Sequence, residues 1–362
     1  MMKTYPRSVF GIPMIIQYVG NQYIVEVSDL GIITRSESKG RAIRDVFDKV
    51  REYLITKPIE PKVIEGYDFH QNVQIRMFKA NQVLTRLGFT IIADEVTEND
   101  MGLIEDICNS IDINKLSNPE KQDIEDKLAN IFSGYVMSPA NRALNMNSLI
   151  MRAEHINKFS HLIEQANMSL LRGEFISTIM ILIPVIEGVL LSLYGFDSSS
   201  NKPNDNQLLN KWAELEYDHS SKQLPNPFML DEYIRAFIDI WQHTVFNKHQ
   251  TAKNNSFFNR HYISHLMGEG NFYTRNNAYK MVLLVDLLAY VMAICHGQHH
   301  RFSYNTKEKS YIQRWGYYKH LALNKHNHAN YHSLMREHLY YEKIYSLIKN
   351  NQWSIKEDIN IG

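Results

Sequence analysis

The residues best equipped for chemistry lie in the stretch Phe257-Phe258-Asn259-Arg260-His261-Tyr262-Ile263-Ser264-His265. Arg260 and His265 are separated by four residues, and Gly268 and Gly270 follow. Arginine supplies a planar, permanently charged fork that matches phosphate geometry. Histidine both accepts and donates a proton near neutral pH. The two together suffice to break an RNA phosphodiester without a metal, because the substrate's own 2′-OH serves as nucleophile. Such a pair also arises as a solvated face or a structural contact. Its setting raises the interest: it lies between two strongly apolar runs, Ile176–Leu193 and Met281–Ile294.

Those runs must be positioned by a folded body, and the composition allows one. The chain has 362 residues, enough for one large or two to three ordinary domains. Hydrophobic residues make up 44%, which suits a packed globular protein. Lys+Arg and Asp+Glu balance at 39 each, which excludes a globally basic nucleic-acid binder but leaves room for a local basic patch. Two cysteines, Cys108 and Cys295, are too few for a disulfide framework or a cysteine-based zinc site, and a reducing, cytoplasmic setting is expected. Met1 to Gly11 carries no apolar core of signal-peptide length. The two apolar runs read as buried core helices and not membrane spans, since the first holds Ser177, Thr178, Pro184 and Glu187, and the second is short and holds Asp286.

The chain divides into four expected segments: 1–57, 58–156, 157–297 and 298–362. In the first, Ile12–Val19 is β-prone, Gly20-Asn21 is a two-residue hairpin signal, and Gln22–Val27 alternates. A short strand Gly31–Thr34 follows, then a helix capped by Ser36 or Ser38 and running to about Ile55. The pattern Gln22-Tyr23-Ile24-Val25-Glu26-Val27-Ser28-Asp29-Leu30-Gly31, a strand and a helix resembles the small domain of HicB-type antitoxins. That resemblance implies a partner-binding unit related to dsRNA-binding domains; a generic α+β cap fits the same residues. Pro58 and Pro61 mark a linker, and 68–156 reads as helical, with helix starts at Ser117-Asn118-Pro119-Glu120 and Ser138-Pro139.

In 157–297, apolar residues recur at helical spacing from His161 to Tyr194, with Gly173 mid-helix or at a turn and a possible kink at Pro184. Short helices are expected over Leu208–Leu215 and Asp231–Phe246, and a long one from about Thr274 to Ile294. Two features coincide here. One is a helix reading Arg172-Gly173-Glu174-Phe175 … Ile183-Pro184-Val185-Ile186-Glu187-Gly188-Val189-Leu190. The other is Asn259–His265 followed by a Leu-rich helix with a central Asp286. Together they resemble a HEPN domain, an all-α fold of many prokaryotic toxin and defence ribonucleases.

The resemblance implies a mainly α protein, a HEPN-like helical bundle carrying the small N-terminal α+β unit. It implies metal-independent cleavage of single-stranded RNA, often tRNA or mRNA, by a homodimer formed through that domain. Carried over by motif position, Arg260 would stabilise phosphate charge and His265 would act as general base or acid, and His261, the polar residue after the arginine, would be the third catalytic residue. Asn259, Tyr262 and Glu187 are the candidate substrate-binding groups. No cofactor and no metal are expected. The chain departs from the family where His-Gly is usual, reading His265-Leu266-Met267-Gly268.

On an ideal helix positions 260 and 265 lie about 140° apart, so one helix does not aim both at one phosphate. A two-fold interface would help. From His299 to Lys349 the chain has nine Lys/Arg against three Glu, with eight Tyr, Trp315 and seven His. Cations interleaved with rings suit RNA, and equally suit a docking helix with a solvated basic face. His320, His326, His328 and His332 invite a zinc reading, but no His-Glu-x-x-His is present. His296, His299 and His300 read as a polar helix end. Three functions therefore stand: a HEPN-type endoribonuclease acting as toxin or antiphage effector, a catalytically silent scaffold that binds RNA or protein, and a metal-dependent hydrolase. The N-terminal unit could take a partner or a trigger in any of them.

Overall fold

Gly20 and Asn21 adopt left-handed backbone, φ 57° and 65°, as a two-residue type I′ hairpin turn requires. The turn joins β2 (Ile12–Val19) to β3 (Gln22–Val27), antiparallel, with Tyr18 opposite Tyr23. β4 (Ile32–Ser36) flanks β3, and β1 (Lys3–Val9) flanks β2, so the sheet order is β1-β2-β3-β4. The sequence pattern began this unit near residue 9; β1 extends it by an edge strand. The computed structural model describes residues 3–9, 12–56, 68–92, 95–197, 199, 201–216, 227–245, 273–296 and 306–325.

The sheet buries one face. Ile12, Met14 and Ile16 of β2 and Val25 and Val27 of β3 point inward at strand periodicity. They meet Ala42, Ile43, Val46, Phe47 and Val50 of α1 (Lys39–Thr56), spaced to line one helical face. The Ser38 hydroxyl accepts from Arg41 N at 3.4 Å and the Ser38 carbonyl from Ala42 N at 3.0 Å, so Ser38 starts the helix. Thr34 Oγ1 donates to the Ala42 carbonyl at 2.9 Å and ties β4 to α1.

The rest of the described chain is helical. α2 (Asp68–Leu84), α3 (Glu98–Asn109) and α4 (Asn118–Val136) follow. α4 opens with a capping box in which Ser117 and Glu120 bond each other's backbone N–H. α5 (Pro139–Asn145) runs into a π-helical turn, Met146–Ile150. The expected 161–194 stretch is two helices, α6 (Ser160–Arg172) and α7 (Phe175–Tyr194), divided at Gly173, whose φ of 82° makes a left-handed cap. α8 (Asp205–Ala213) begins three residues earlier than the apolar pattern suggests, because Asn204 and Gln207 form a second capping box. α9 (Pro227–Ile240) ends in a π-helical turn, Trp241–Val245. α10 (Arg275–Cys295) and α11 (Lys309–Leu323) complete the fold.

α10 is the spine. It packs on α4, α7, α9 and the Met146–Ile150 turn. α7 and α10 are both long and apolar enough to cross a membrane, but 94% of the apolar window of α10 is enclosed by protein, against 44% for α7. α7 leaves Ile176, Met180 and Pro184 exposed along one flank.

One hydrophobic core runs through all four expected segments. The N-terminal unit docks on α8 and α9. Gly40 N donates to Glu214 Oε1 at 2.9 Å, Arg44 donates to Asn210 Oδ1 at 3.0 Å, and Arg235 bridges Asp48 and Asp239 at 2.6 Å each. Arg51 pairs with Asp239 in the same interface. Most of the expected linker, 57–67, lies outside the described residues.

Candidate functional site

The Arg260–His265 stretch sits in the sequence between the end of α9 and the start of α10. Arg260, His261, His265, Asn259 and Tyr262 lie outside the described residues. What the structure defines is the pair of helix ends that carry this stretch.

The α9 end is anchored by rings. Trp212, Phe237 and Trp241 pack in series, the first pair tilted and the second stacked, with centroids 4.6 and 5.5 Å apart, and Trp212 Nε1 donates to the Ile234 carbonyl at 3.1 Å. A π-helical turn of this kind often accompanies a functional site, because the extra residue re-aims the chain. Burial holds the His243 imidazole in it below its ordinary range, with Asp239 opposing.

The α10 start is anchored by polar groups. Thr274 caps it, its hydroxyl accepting from Asn277 N at 3.2 Å. Asn276 donates to Asp126 at 2.6 Å, and Lys280 pairs with Glu125 at 2.7 Å with both side chains buried. The Lys280 ammonium also lies 5.1 Å from the Phe89 ring centroid. Tyr273, just before the helix, places its hydroxyl 3.6 Å from Met180 Sδ of α7.

Glu187, the one candidate substrate-binding residue in described chain, lies on α7 and pairs with Lys202. It is seven residues beyond Met180, on the same helical stripe, so about 10 Å along α7 from the Tyr273 contact. The neighbouring Gly188 has a packing reason: a Cβ there would come within 2.7 Å of the Phe159 ring. The Arg172-Gly173-Glu174 part of the HEPN-like pattern is a corner, with Arg172 Nε 3.0 Å from Glu174 Oε1 across the left-handed glycine.

Asp286 has a structural assignment. Its carboxylate is 1% exposed and accepts from Arg142 at both oxygens, and from the Tyr135 hydroxyl at 3.1 Å. Tyr135 also bonds Asn145. An acid in the middle of an apolar helix is thus the counter-ion of a buried arginine on α5.

In the basic C-terminal segment, residues 306–325 are described. Tyr318 and Leu321 bury one side of α11 against α5 and α6, and Arg314 and Tyr318 both bond Glu164, at 2.9 and 2.7 Å. Around the rest of its circumference α11 exposes Ile312, Trp315, Tyr317 and Leu323, with the Lys319 ammonium 5.7 Å from the Trp315 ring centroid. α11 also holds a second arginine–histidine pair that the sequence reading did not single out, Arg314 and His320, with five residues between. The fold separates them: Arg314 turns inward to Glu164 while His320 is exposed and bonds Asn324. His326, His328 and His332 lie outside the described residues, as do His299 and His300.

Glu154 and His155 were also not legible as site residues. Their only sequence signal is an adjacent Glu-His pair; the fold brings them to His296 at the end of α10. Comparisons with protein-family models, with curated proteins and with solved structures find no match to this chain.

Proposed function

We propose that this protein is a metal-independent endoribonuclease of HEPN type, acting as a homodimer on tRNA or mRNA in a toxin or antiphage role. The observation that carries the proposal is the Arg260-x4-His265 sequence set between two helices, α9 and α10. The mainly helical architecture is compatible with it, as are the cations and exposed rings of α11, which suit phosphates and bases.

In the proposed step His265 takes the proton of the RNA 2′-OH and the 2′-oxygen bonds to phosphorus. The 5′-oxygen leaves and gains a proton, giving a 2′,3′-cyclic phosphate and a 5′-OH end. Arg260 balances the charge that builds on the non-bridging oxygens. His261 would complete the catalytic set beside Arg260 and His265, and Asn259, Tyr262 and Glu187 would position the strand. The N-terminal α+β unit, docked on α8 and α9, would be the surface through which a partner or trigger acts.

The test is RNA cleavage by the purified full-length protein in EDTA, on total tRNA and on a single-stranded RNA, beside Arg260→Ala and His265→Ala. Cleavage by the wild type alone, with cyclic-phosphate ends, is the expected result. Equal cleavage by all three would remove the motif from the active site. RNA binding without cleavage by any of them would favour the silent scaffold.

A further inference from the structure

Glu154, His155 and His296 come from the turn before α6 and from the end of α10. One donor atom of each lies within 4.8 Å of the other two. The His296 Nδ1 is 2.7 Å from the Met292 carbonyl. A carbonyl only accepts, so Nδ1 carries a proton and Nε2 is the nitrogen that faces Glu154 Oε2, 3.0 Å away. The His155 Nδ1 is 3.1 Å from Ser192 Oγ of α7, and the same hydroxyl accepts from Lys158 Nζ at 2.8 Å. Each imidazole therefore has its Nδ1 occupied by an outer partner. That is the arrangement by which proteins fix the tautomer and aim of a metal-ligating histidine.

A further observation agrees. His155 has φ 63°, a left-handed backbone that non-glycine residues adopt at a cost and that concentrates at ligand sites.

We propose that Glu154, His155 and His296 form a binding site for a divalent transition-metal ion of the zinc class. Two imidazoles and one carboxylate match a three-ligand site completed by water, whereas calcium and magnesium prefer all-oxygen shells. Around a tetrahedral ion with ligands at 2.0–2.2 Å, donor atoms sit roughly 3.3–3.5 Å apart. The 3.0 Å His296–Glu154 separation is already close to that. The Glu154 side chain is 61% exposed, so little packing opposes its adjustment around an ion. The Lys158 ammonium donates to Ser192 Oγ, the hydroxyl that faces His155 Nδ1.

The ion would brace the turn before α6 against the end of α10, and through Ser192 against α7. α10 has 21 residues, so this brace lies about 30 Å from the helix start that follows Arg260. It takes no part in the proposed RNA chemistry and does not depend on it.

The experiment uses the full-length protein stripped by chelator and dialysed, then titrated with Zn(II) by calorimetry and with Co(II) by visible absorption. The expected result is one bound ion with a four-coordinate Co(II) spectrum, and affinity falling about tenfold or more in Glu154→Gln, His155→Ala and His296→Ala. Ser192→Ala, which removes only an outer partner, should weaken binding about tenfold while leaving the circular dichroism spectrum unchanged. His320→Ala should bind as wild type. No binding by the wild type would mean that Glu154 and His296 form a plain ion pair. Undiminished binding in all four site variants would place the ion elsewhere; either result overturns the proposal.

Discussion

Replacing Asp286 by Ala should destabilise the protein strongly, and replacing its partner as well should restore most of the loss. Arg142 and Asp286 side chains are each 1% exposed and joined by two hydrogen bonds. Removing the acid leaves a guanidinium buried with no counter-charge, which costs about 3–5 kcal/mol. Unfolding entropy near 2.1 cal/mol/K per residue gives roughly 0.76 kcal/mol/K for 362 residues. The expected fall in Tm is therefore about 4–7 °C. The double variant Arg142→Met/Asp286→Leu fills the space with apolar groups and removes both charges, and buried pairs replaced in this way are often neutral or better. Differential scanning calorimetry of the wild type, Asp286→Ala, Arg142→Met and the double variant closes the cycle. If the double variant fell by the sum of the two singles, the residues would not be coupled and the counter-ion assignment would fail. Asp286→Asn, which keeps the shape, should retain RNA cleavage per folded molecule, because the acid is not a reacting group in this reading.

Three other outcomes are expected. Burial pushes the Glu232 carboxyl up to about 7, with Arg51 and the Asn81 hydrogen bond opposing and Asp239 adding to the rise. Its folded pKa then exceeds its unfolded value near 4.5, the folded state holds the proton longer, and stability should fall by about 3 kcal/mol as pH rises from about 4.5 to 7; urea titrations across that range should lose this slope in Glu232→Gln. Gly40→Ala should loosen the N-terminal unit by about 1–3 kcal/mol, because the new Cβ would meet the Asn210 carbonyl oxygen at 2.2 Å; unchanged protease resistance at the α1–α8 seam would contradict this. Trp315→Ala, at a ring 39% exposed, should leave the unfolding free energy within about 0.5 kcal/mol yet weaken single-stranded RNA binding by about 1–3 kcal/mol; anisotropy in a His265→Ala background measures it, and unchanged affinity would take α11 off the RNA path.

Local grammar carried much of this fold in the sequence. Gly20-Asn21 named a turn type, Ser117 with Glu120 named a helix start, and the 42–50 spacing named the buried face of α1, because each is decided by neighbours within one turn. β1 was hidden by Pro6, which argues against a strand; the sheet accepts it because β1 is an edge. The π-helical turns at Met146–Ile150 and Trp241–Val245 leave no mark in apolar periodicity. Long-range partners were the least legible. Asp286 looked like a feature of a motif until Arg142, 144 residues earlier, supplied its reason. Glu154 and His155 gained a possible role only when the end of α10 was brought beside them.

α10 explains why an apolar helix carries Lys280, Asp286 and His296. A helix buried on all sides slides and rotates at little cost if only apolar groups hold it, since one hydrophobic contact exchanges for another. Three polar contacts, to Glu125, Arg142 and Glu154, each permit one register. The first lies within two turns of Thr274, where the chain arrives from Arg260 and His265. Under the proposed function, the precision with which Arg260 and His265 meet RNA depends in part on how firmly the elements that flank them in sequence are held. Lys280→Met should therefore lower RNA cleavage per folded molecule, in addition to the roughly 3–5 kcal/mol that breaking a buried pair costs; cleavage per folded molecule equal to wild type, measured well below Tm, would refute this.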